Sequence, residues 1–344
     1  MSNKTHGWRK SACIILVAKT EEISKDGLNY RVLTLDRLDT SSHYPGATVF
    51  PGGLLETSDA SKEWLDLFEK HGFTFDSLQK LEVKKSKPLI YCANDANDIP
   101  SYLSLRIAAI REVFEETGIL LCRNAKASCG NTQWANYIKS NDILEWQSKI
   151  QQNPKEFWNF CWTFNLCPDL WSLHEWSNWR SPLDSISKFD TMYFLAATQQ
   201  VPQTFANKAE AQQLQWATPQ DYLDQLEKEK ILFYLPQFYE FSRLKVFSDI
   251  NRLIEFARKR EPSGIKTITT VRAYTNDIFC FILPGDDLYP TIVDAAHEVY
   301  QYDDAIPETF IQHRIYMKSF NELSLVTKNF TPQCNHVLPI NSKI

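Results

Sequence analysis

Leu105-Arg106-Ile107-Ala108-Ala109-Ile110-Arg111-Glu112-Val113-Phe114-Glu115-Glu116-Thr117-Gly118-Ile119 is the stretch on which the reading of this chain turns. A helix of about 3.6 residues per turn places Glu112, Glu115 and Glu116 at i, i+3 and i+4, so the three carboxylates share one face. Ile107, Ile110, Val113 and Phe114 fill the opposite face, and Gly118 is a natural C-cap. Three like charges on one turn repel one another and add nothing to a helix that only has to be stable. A solvated acidic face is the ordinary explanation of such a cluster. The other is a divalent cation, since Mg²⁺ takes one or two carboxylates together with substrate phosphate oxygens.

Upstream, Thr48-Val49-Phe50 reads as a brief strand leading into Pro51-Gly52-Gly53. Glycines there permit positive φ and a close approach of backbone to an oxyanion such as a diphosphate. Arg111 to Ile119 matches, residue by residue, the second half of the Nudix box, R-E-U-x-E-E-x-G-U with U a bulky aliphatic. Phe50-Pro51-Gly52-Gly53 resembles the glycine entry to that box. Residues 54–110 separate Gly53 from Arg111, several times the family's usual spacing. The excess reads as a surface insertion at about residues 60–100, which costs only a slowly growing loop entropy. Asp59 stands where the family pattern has a glutamate.

The split box is similar to that of the peroxisomal coenzyme A diphosphatases among the Nudix hydrolases. The likeness continues through Lys188–Ala196, Trp216–Pro219, Leu235–Glu240 and Gly285–Pro290, and so spans most of the chain. It implies an α+β fold: a Nudix α/β/α sandwich with a mixed sheet at residues 8–222, and a C-terminal α/β extension at 223–344 packed on the core. It also implies a Mg²⁺- or Mn²⁺-dependent diphosphatase that hydrolyses coenzyme A or acyl-coenzyme A to 3′,5′-ADP and (acyl-)4′-phosphopantetheine.

By the same resemblance Glu112 and Glu116 are the leading metal ligands, and Glu115 is a further ligand or the base that activates water. Arg111 would orient a neighbouring glutamate through a fork-like ion pair. Glu210, outside the box and just before a strand at Ala211–Trp216, is an additional candidate ligand or base. Gly46 with Phe50–Gly53 resembles a coenzyme A signature, in which Arg37 answers to the basic residue, so Gly52, Gly53 and Arg37 are candidate substrate contacts. Two alternatives remain. One is hydrolysis of another nucleoside diphosphate derivative such as NADH, ADP-ribose or capped RNA. The other is a Nudix-fold module that binds a nucleotide without cleaving it, against which all three box glutamates speak.

Composition sets the outer limits. Of 344 residues, 43% are hydrophobic and 13% aromatic, which places the chain among globular proteins. A net charge of −5 supplies no overall positive field for nucleic acid or anionic membrane, so neither is an expected partner. Eight cysteines without C-x-x-C spacing read as free thiols rather than a zinc site or disulfide framework. No N-terminal apolar segment and no run of 18 apolar residues is present, which points to a soluble intracellular protein. Ser342-Lys343-Ile344 resembles the Ser-Lys-Leu peroxisomal address, with isoleucine for leucine. That tripeptide points to a peroxisomal import receptor as partner, and without it the expected location is the cytoplasm.

Local patterns add the remaining elements. Ala12–Ala18 and Tyr30–Asp36 read as a hairpin around Lys25-Asp26-Gly27, and Lys62–Phe68 as an amphipathic helix. The Lys84-Lys85-Ser86-Lys87 cluster reads as a solvated loop, and the tryptophan-rich run 123–187 as core. Lys188–Thr198 and Ala211–Trp216 read as strands. Residues 220–260 are expected to form two helices interrupted at Leu235-Pro236, followed by strands at Ile265–Val271 and Asp277–Ile282.

Overall fold

The computed structural model describes residues 7–41, 43–83, 85–92, 98–124, 133–138, 143–182, 185–207, 211–275, 278–291, 299–302 and 306–340. In chain order the elements are β1 (Arg9–Lys19), β2 (Tyr30–Arg37), β3 (Thr48–Val49), β4 (Gly52–Leu54), α1 (Glu63–Lys70), α2 (Phe75–Gln79), α3 (Ser101–Thr117), β5 (Cys122–Asn124), α4 (Ile143–Gln152), α5 (Glu156–Thr163), β6 (Leu166–Pro168), β7 (His174–Arg180) and β8 (Phe189–Thr198). They are followed by β9 (Ala211–Ala217), α6 (Pro219–Glu227), α7 (Leu235–Leu244), α8 (Ile250–Arg260), β10 (Thr267–Thr269), β11 (Val271–Thr275), β12 (Ile278–Ile282), β13 (Tyr300–Tyr302), β14 (Gln312–Ser319) and β15 (Glu322–Lys328).

A mixed eight-stranded sheet runs β10-β7-β8-β1-β2-β3, with β4 paired to β1 and β9 to β2. β1 and β8 are parallel over their whole length, while β1 and β2 pair antiparallel only at Val17–Lys19. Beyond that short ladder β1 and β2 part, and the chain from residue 48 to 54 wedges between them. β3 pairs with Leu35–Asp36 of β2, and β4 with Ser11–Cys13 of β1.

The alternation along β1 decides what lies on each face. Ile14 and Leu16 belong to one core with Leu105, Ile110, Val113 and Phe114 of α3; Ile15 and Val17 belong to another with Phe238, Phe241, Leu253 and Ile254 of α7 and α8. Helices therefore cover both faces, as the α/β/α sandwich requires. Each fully buried aliphatic or aromatic side chain contributes about 1.5–3 kcal/mol. Of the tryptophans in the run 123–187, Trp176 and Trp179 are buried in the core and Trp134, Trp146, Trp158 and Trp171 pack against it partly buried, but Trp162 is exposed, so the run is core only in part; outside it, Trp64 is buried. No described helix is long and apolar enough to cross a membrane.

Residues 220–260 form three helices rather than the expected two. The extra break comes at Lys245–Asp249, where Asp249 accepts the backbone N–H groups of Asn251 and Arg252 and so starts α8 as its N-cap. The apolar run at 265–271 is also split. β10 joins β7 in the main sheet, and β11 enters a second, five-stranded sheet of order β13-β11-β12-β14-β15. That second sheet contributes Ile315, Leu323 and Leu325 to the α7/α8 core. Asp286, just after β12, ties that strand's end to β14 by accepting a two-pronged ion pair from Arg314 at 2.8 and 2.7 Å, both side chains being buried.

Beside it, burial lowers the pKa of His313 to about 4, with the imidazole held between Pro284 O and the Tyr239 hydroxyl. The folded value lies below the unfolded value near 6.5. This contribution to stability is therefore complete above about pH 6.5 and is lost as pH falls toward 4. Melting temperature measured from pH 7 to 4 is expected to report a loss of about 3 kcal/mol from this group, and His313→Gln should flatten that slope.

Candidate active site

Gly52 and Gly53 lie in the wedge between β1 and β2, where backbone leaves no room for a side chain at Gly52 and the Glu112 carboxylate occupies the space beside Gly53. At Gly52, φ is +155°, and an added Cβ would meet Ala12 O at 2.4 Å and Cys13 Cα at 2.5 Å. At Gly53 it would meet the carboxylate of Glu112, again at 2.4 Å. α3 lies across this strand and ends at Gly118, whose φ of +72° lets its N–H bond Phe114 O.

Three consecutive residues of β4 are each matched by one residue of the helix. Gly52 N–H donates to Glu116 Oε2 at 2.8 Å, Gly53 faces the Glu112 carboxylate, and Leu54 O accepts from Arg111 Nη2 at 2.9 Å. The acidic face is thus not a solvated one: Glu115 and Glu116 are 4% and 2% exposed, and only Glu112 reaches further out.

Arg111 uses all five of its N–H groups. Nε and Nη2 fork onto Asp59 at 2.9 and 2.8 Å, Nη2 also reaches Leu54 O, and Nη1 bonds Glu112 at 2.9 Å and Glu115 at 2.7 Å. Burial opposes its charge, but Asp59, Glu112 and Glu115 outweigh that cost and raise its pKa well above the usual value. The fork therefore falls on Asp59, not on a box glutamate, although Glu112 and Glu115 are both held by the same guanidinium. Asp59 is itself fixed by accepting the Glu56 N–H at 2.9 Å in a capping box.

The site continues around these residues. Cys13 is half-buried beside Glu116 and Glu112; desolvation and these two carboxylates raise its pKa, while Arg37 acts in the opposite sense. Arg37, at the end of β2, is steadied by donating from Nε to His43 O at 3.0 Å. Gln147 of α4 donates to Phe114 O, Glu115 O and Phe205 O, and the Asn207 N–H bonds Glu116 O, so the chain near 205–207 lies along the helix end. Gln147 carried no local signal, since its partners are backbone carbonyls remote in sequence. Glu210, like the terminal Ser342-Lys343-Ile344, lies outside the described residues.

Among the described residues, no three His, Cys, Asp or Glu side chains form a ready-made metal cage. The donor set nonetheless suits a hard cation. Glu112 and Glu116 offer carboxylate oxygens one turn apart, against a glycine strand where a Cβ would occupy the space of the Glu112 head group. Mg²⁺ takes few protein ligands and completes its shell with water and substrate phosphate.

Removing the guanidinium would leave Asp59 and Glu115 buried without a counter-charge, so Arg111→Met is expected to cost about 3–5 kcal/mol. Urea unfolding measures this. An unchanged midpoint would show that the clamp carries no stability, and Asp59→Asn, which keeps the shape and an acceptor oxygen, should lose clearly less.

A family model of the NUDT19 Nudix domain matches residues 8–244. The acyl-coenzyme A diphosphatase NUDT19 of Xenopus laevis is 31% identical over 373 residues, covering 99% of this chain and 97% of the relative. The human protein of the same name is 28% identical and covers 98% and 96%. A Nudix hydrolase structure from Alicyclobacillus acidocaldarius shares the fold with a TM-score of 0.53 at 20% identity, covering 72% of this chain and 96% of that one. Family model, full-length relatives and shared fold agree with the glutamate helix set on its glycine strand: the chain belongs to the NUDT19 branch of the Nudix hydrolases, enzymes that cleave diphosphate bonds.

Proposed function

We propose that this Nudix hydrolase cleaves the diphosphate of coenzyme A or its acyl esters, releasing 3′,5′-ADP and (acyl-)4′-phosphopantetheine, with Mg²⁺ or Mn²⁺ as cofactor. The observation that carries the chemistry is the convergence of Glu112 and Glu116 with the Gly52-Gly53 strand. The relatives' names support the substrate: those from Xenopus, chicken and human are acyl-coenzyme A diphosphatases.

Glu112 and Glu116 would hold the divalent cation, with Glu115 as a third ligand or the general base. When bound, such an ion neutralises phosphoryl charge and lowers the pKa of a water to make a nucleophile at neutral pH. The remaining work falls to the protein. The Gly52 N–H fixes one oxygen of Glu116, so that its carboxylate presents in one orientation. Arg111 holds Glu112 and Glu115 through separate N–H bonds, setting the spacing of the two head groups before substrate arrives. Glu115, buried, has one carboxylate oxygen held by this guanidinium at 2.7 Å, which fixes where that head group sits. Gly52 and Gly53 keep the strand free of side chains where a diphosphate would approach, and Arg37 offers a cation on the neighbouring strand. Glu210 joins the proposed set as a further ligand or base outside the box.

Wild-type protein incubated with coenzyme A and Mg²⁺ is expected to yield 3′,5′-ADP by chromatography, with Glu116→Gln slower by about 10²- to 10⁴-fold. Turnover of NADH or ADP-ribose but not of coenzyme A would keep the catalytic helix and sink the substrate. Gly53→Ala should raise the Mg²⁺ concentration needed for half-maximal rate by about 10- to 100-fold. Its urea midpoint should hardly move, since the atoms displaced are the far end of Glu112.

A further inference from the structure

A second cluster of charge lies on the opposite face of the main sheet, where α7 and α8 pack, and it takes no part in the chemistry above. There a cleft of about 50 Å³ opens between α7, α8, β7, β10 and the C-terminal segment, lined among others by Ser177, Arg243, Arg260 and His313. One water needs about 10–15 Å³ on this measure, so the cleft has room for a small polyatomic ion and none for a nucleotide.

Three donors on its walls lack a protein acceptor. Arg243 Nε, Arg260 Nε and Ser177 Oγ are all buried without a hydrogen-bond partner among the described residues, and the three side chains are 6%, 3% and 2% exposed. They come from α7, α8 and β7, so one local distortion does not account for them. Buried polar groups in folded proteins are nearly always paired, with protein or with water, and among the unmatched buried atoms of the described residues these three share one cleft.

The charge balance gives the sign of that ligand. Arg260 donates only to backbone oxygens, of Glu175, Trp176 and Gly264, and has no carboxylate in ion-pair distance among the described residues. Arg243 reaches Glu240 only at 3.3 and 3.4 Å, because each oxygen of Glu240 already accepts an indole N–H, from Trp176 and Trp179, at 2.8 Å. Glu175 and Glu261 act on Arg260 from further away. Burial and the Arg243 charge still prevail, lowering the Arg260 pKa to about 10. His313 and His336 are held neutral by burial, and their ring nitrogens are engaged elsewhere. Two buried guanidiniums and a hydroxyl, each with an unmatched donor, line the cleft together with exposed Lys266. That arrangement matches a tetrahedral oxyanion and disfavours any cation.

We infer that the cleft beneath α7 and α8 is a binding site for a tetrahedral oxyanion, phosphate or sulfate in chemistry, held by Arg243, Arg260 and Ser177 and separate from the glutamate helix. The oxyanion can be free, or it can be the terminal group of a phosphorylated molecule whose remainder points to solvent.

The test uses the full chain, freed of phosphate and titrated with inorganic phosphate, with ethyl phosphate, and with chloride at matched ionic strength. Melting temperature and titration calorimetry are the readouts. Phosphate should bind saturably and raise the melting temperature where chloride does not. A matching response to ethyl phosphate would identify a site for the end of a larger molecule, and a response to inorganic phosphate alone would identify a free-ion site. Ser177→Ala removes an unpaired hydroxyl and so should leave unliganded stability unchanged or improved. Arg243→Lys keeps a positive charge beside Glu240 but replaces the guanidinium fork, its Nε donor included, with a single ammonium. Each should weaken phosphate binding about tenfold. No saturable response above chloride would overturn the inference, as would a response that both variants leave intact.

Discussion

A single guanidinium joins the parts of this enzyme that sequence keeps far apart. Arg111 is almost wholly removed from water, and a charge in that position is tolerable only if every donor is matched. Its partners come from the end of β4, the turn at Asp59 and its own helix. Meeting that requirement pins α3 across the glycine strand. Once α3 is pinned, Glu116 meets the Gly52 N–H and Glu112 meets the space that Gly53 leaves. The long insertion between the two halves of the box is compatible with this because Asp59, the residue that closes the clamp, precedes α1 and α2.

The same solution recurs away from the site. Asp190 accepts from Asn178 and Arg180 at the edge of β8, Glu240 from the indoles of Trp176 and Trp179, Asp286 from Arg314, and Glu175 from Tyr91 and Arg106. Each is a buried carboxylate that holds one element to another. Three of these residues lie in the strings Lys188–Ala196, Leu235–Glu240 and Gly285–Pro290, which had been recognisable only as family wording. Their physical role is structural: without partners these carboxylates would be costly in a dry interior, and with them they fix how layers pack. Burial raises the Glu175 pKa even with Arg106 alongside, which shows how nearly such a balance is struck.

Much was legible locally because the signals were local. The acidic face of α3, the Gly118 cap and the β1–β2 hairpin depend on residues within a few turns or a few strand positions of each other. The break before α8 was missed although Asp249 is an N-cap residue type, because the apolar pattern runs across it. Asp59 stands where the family has a longer glutamate, yet the short carboxylate is held by the Glu56 N–H and set directly against Arg111. The splitting of residues 265–271 between two sheets had no sequence signal, since both short strands read alike.

By itself, the sequence determined the chemistry on offer: three carboxylates spaced for one helical face, two glycines able to take a strand through a tight gap, and an arginine ahead of them. Helical and strand periodicity, together with the conformational freedom of glycine, are properties of the chain itself. Only the tertiary structure decided where the Arg111 fork is spent, that the acidic face is buried, and that unpaired donors of α7, α8 and β7 share one cleft. Those outcomes turn on which distant groups exclude water from one another, and the strength of a charge or an unmade hydrogen bond is set by that exclusion, not by its neighbours in the chain.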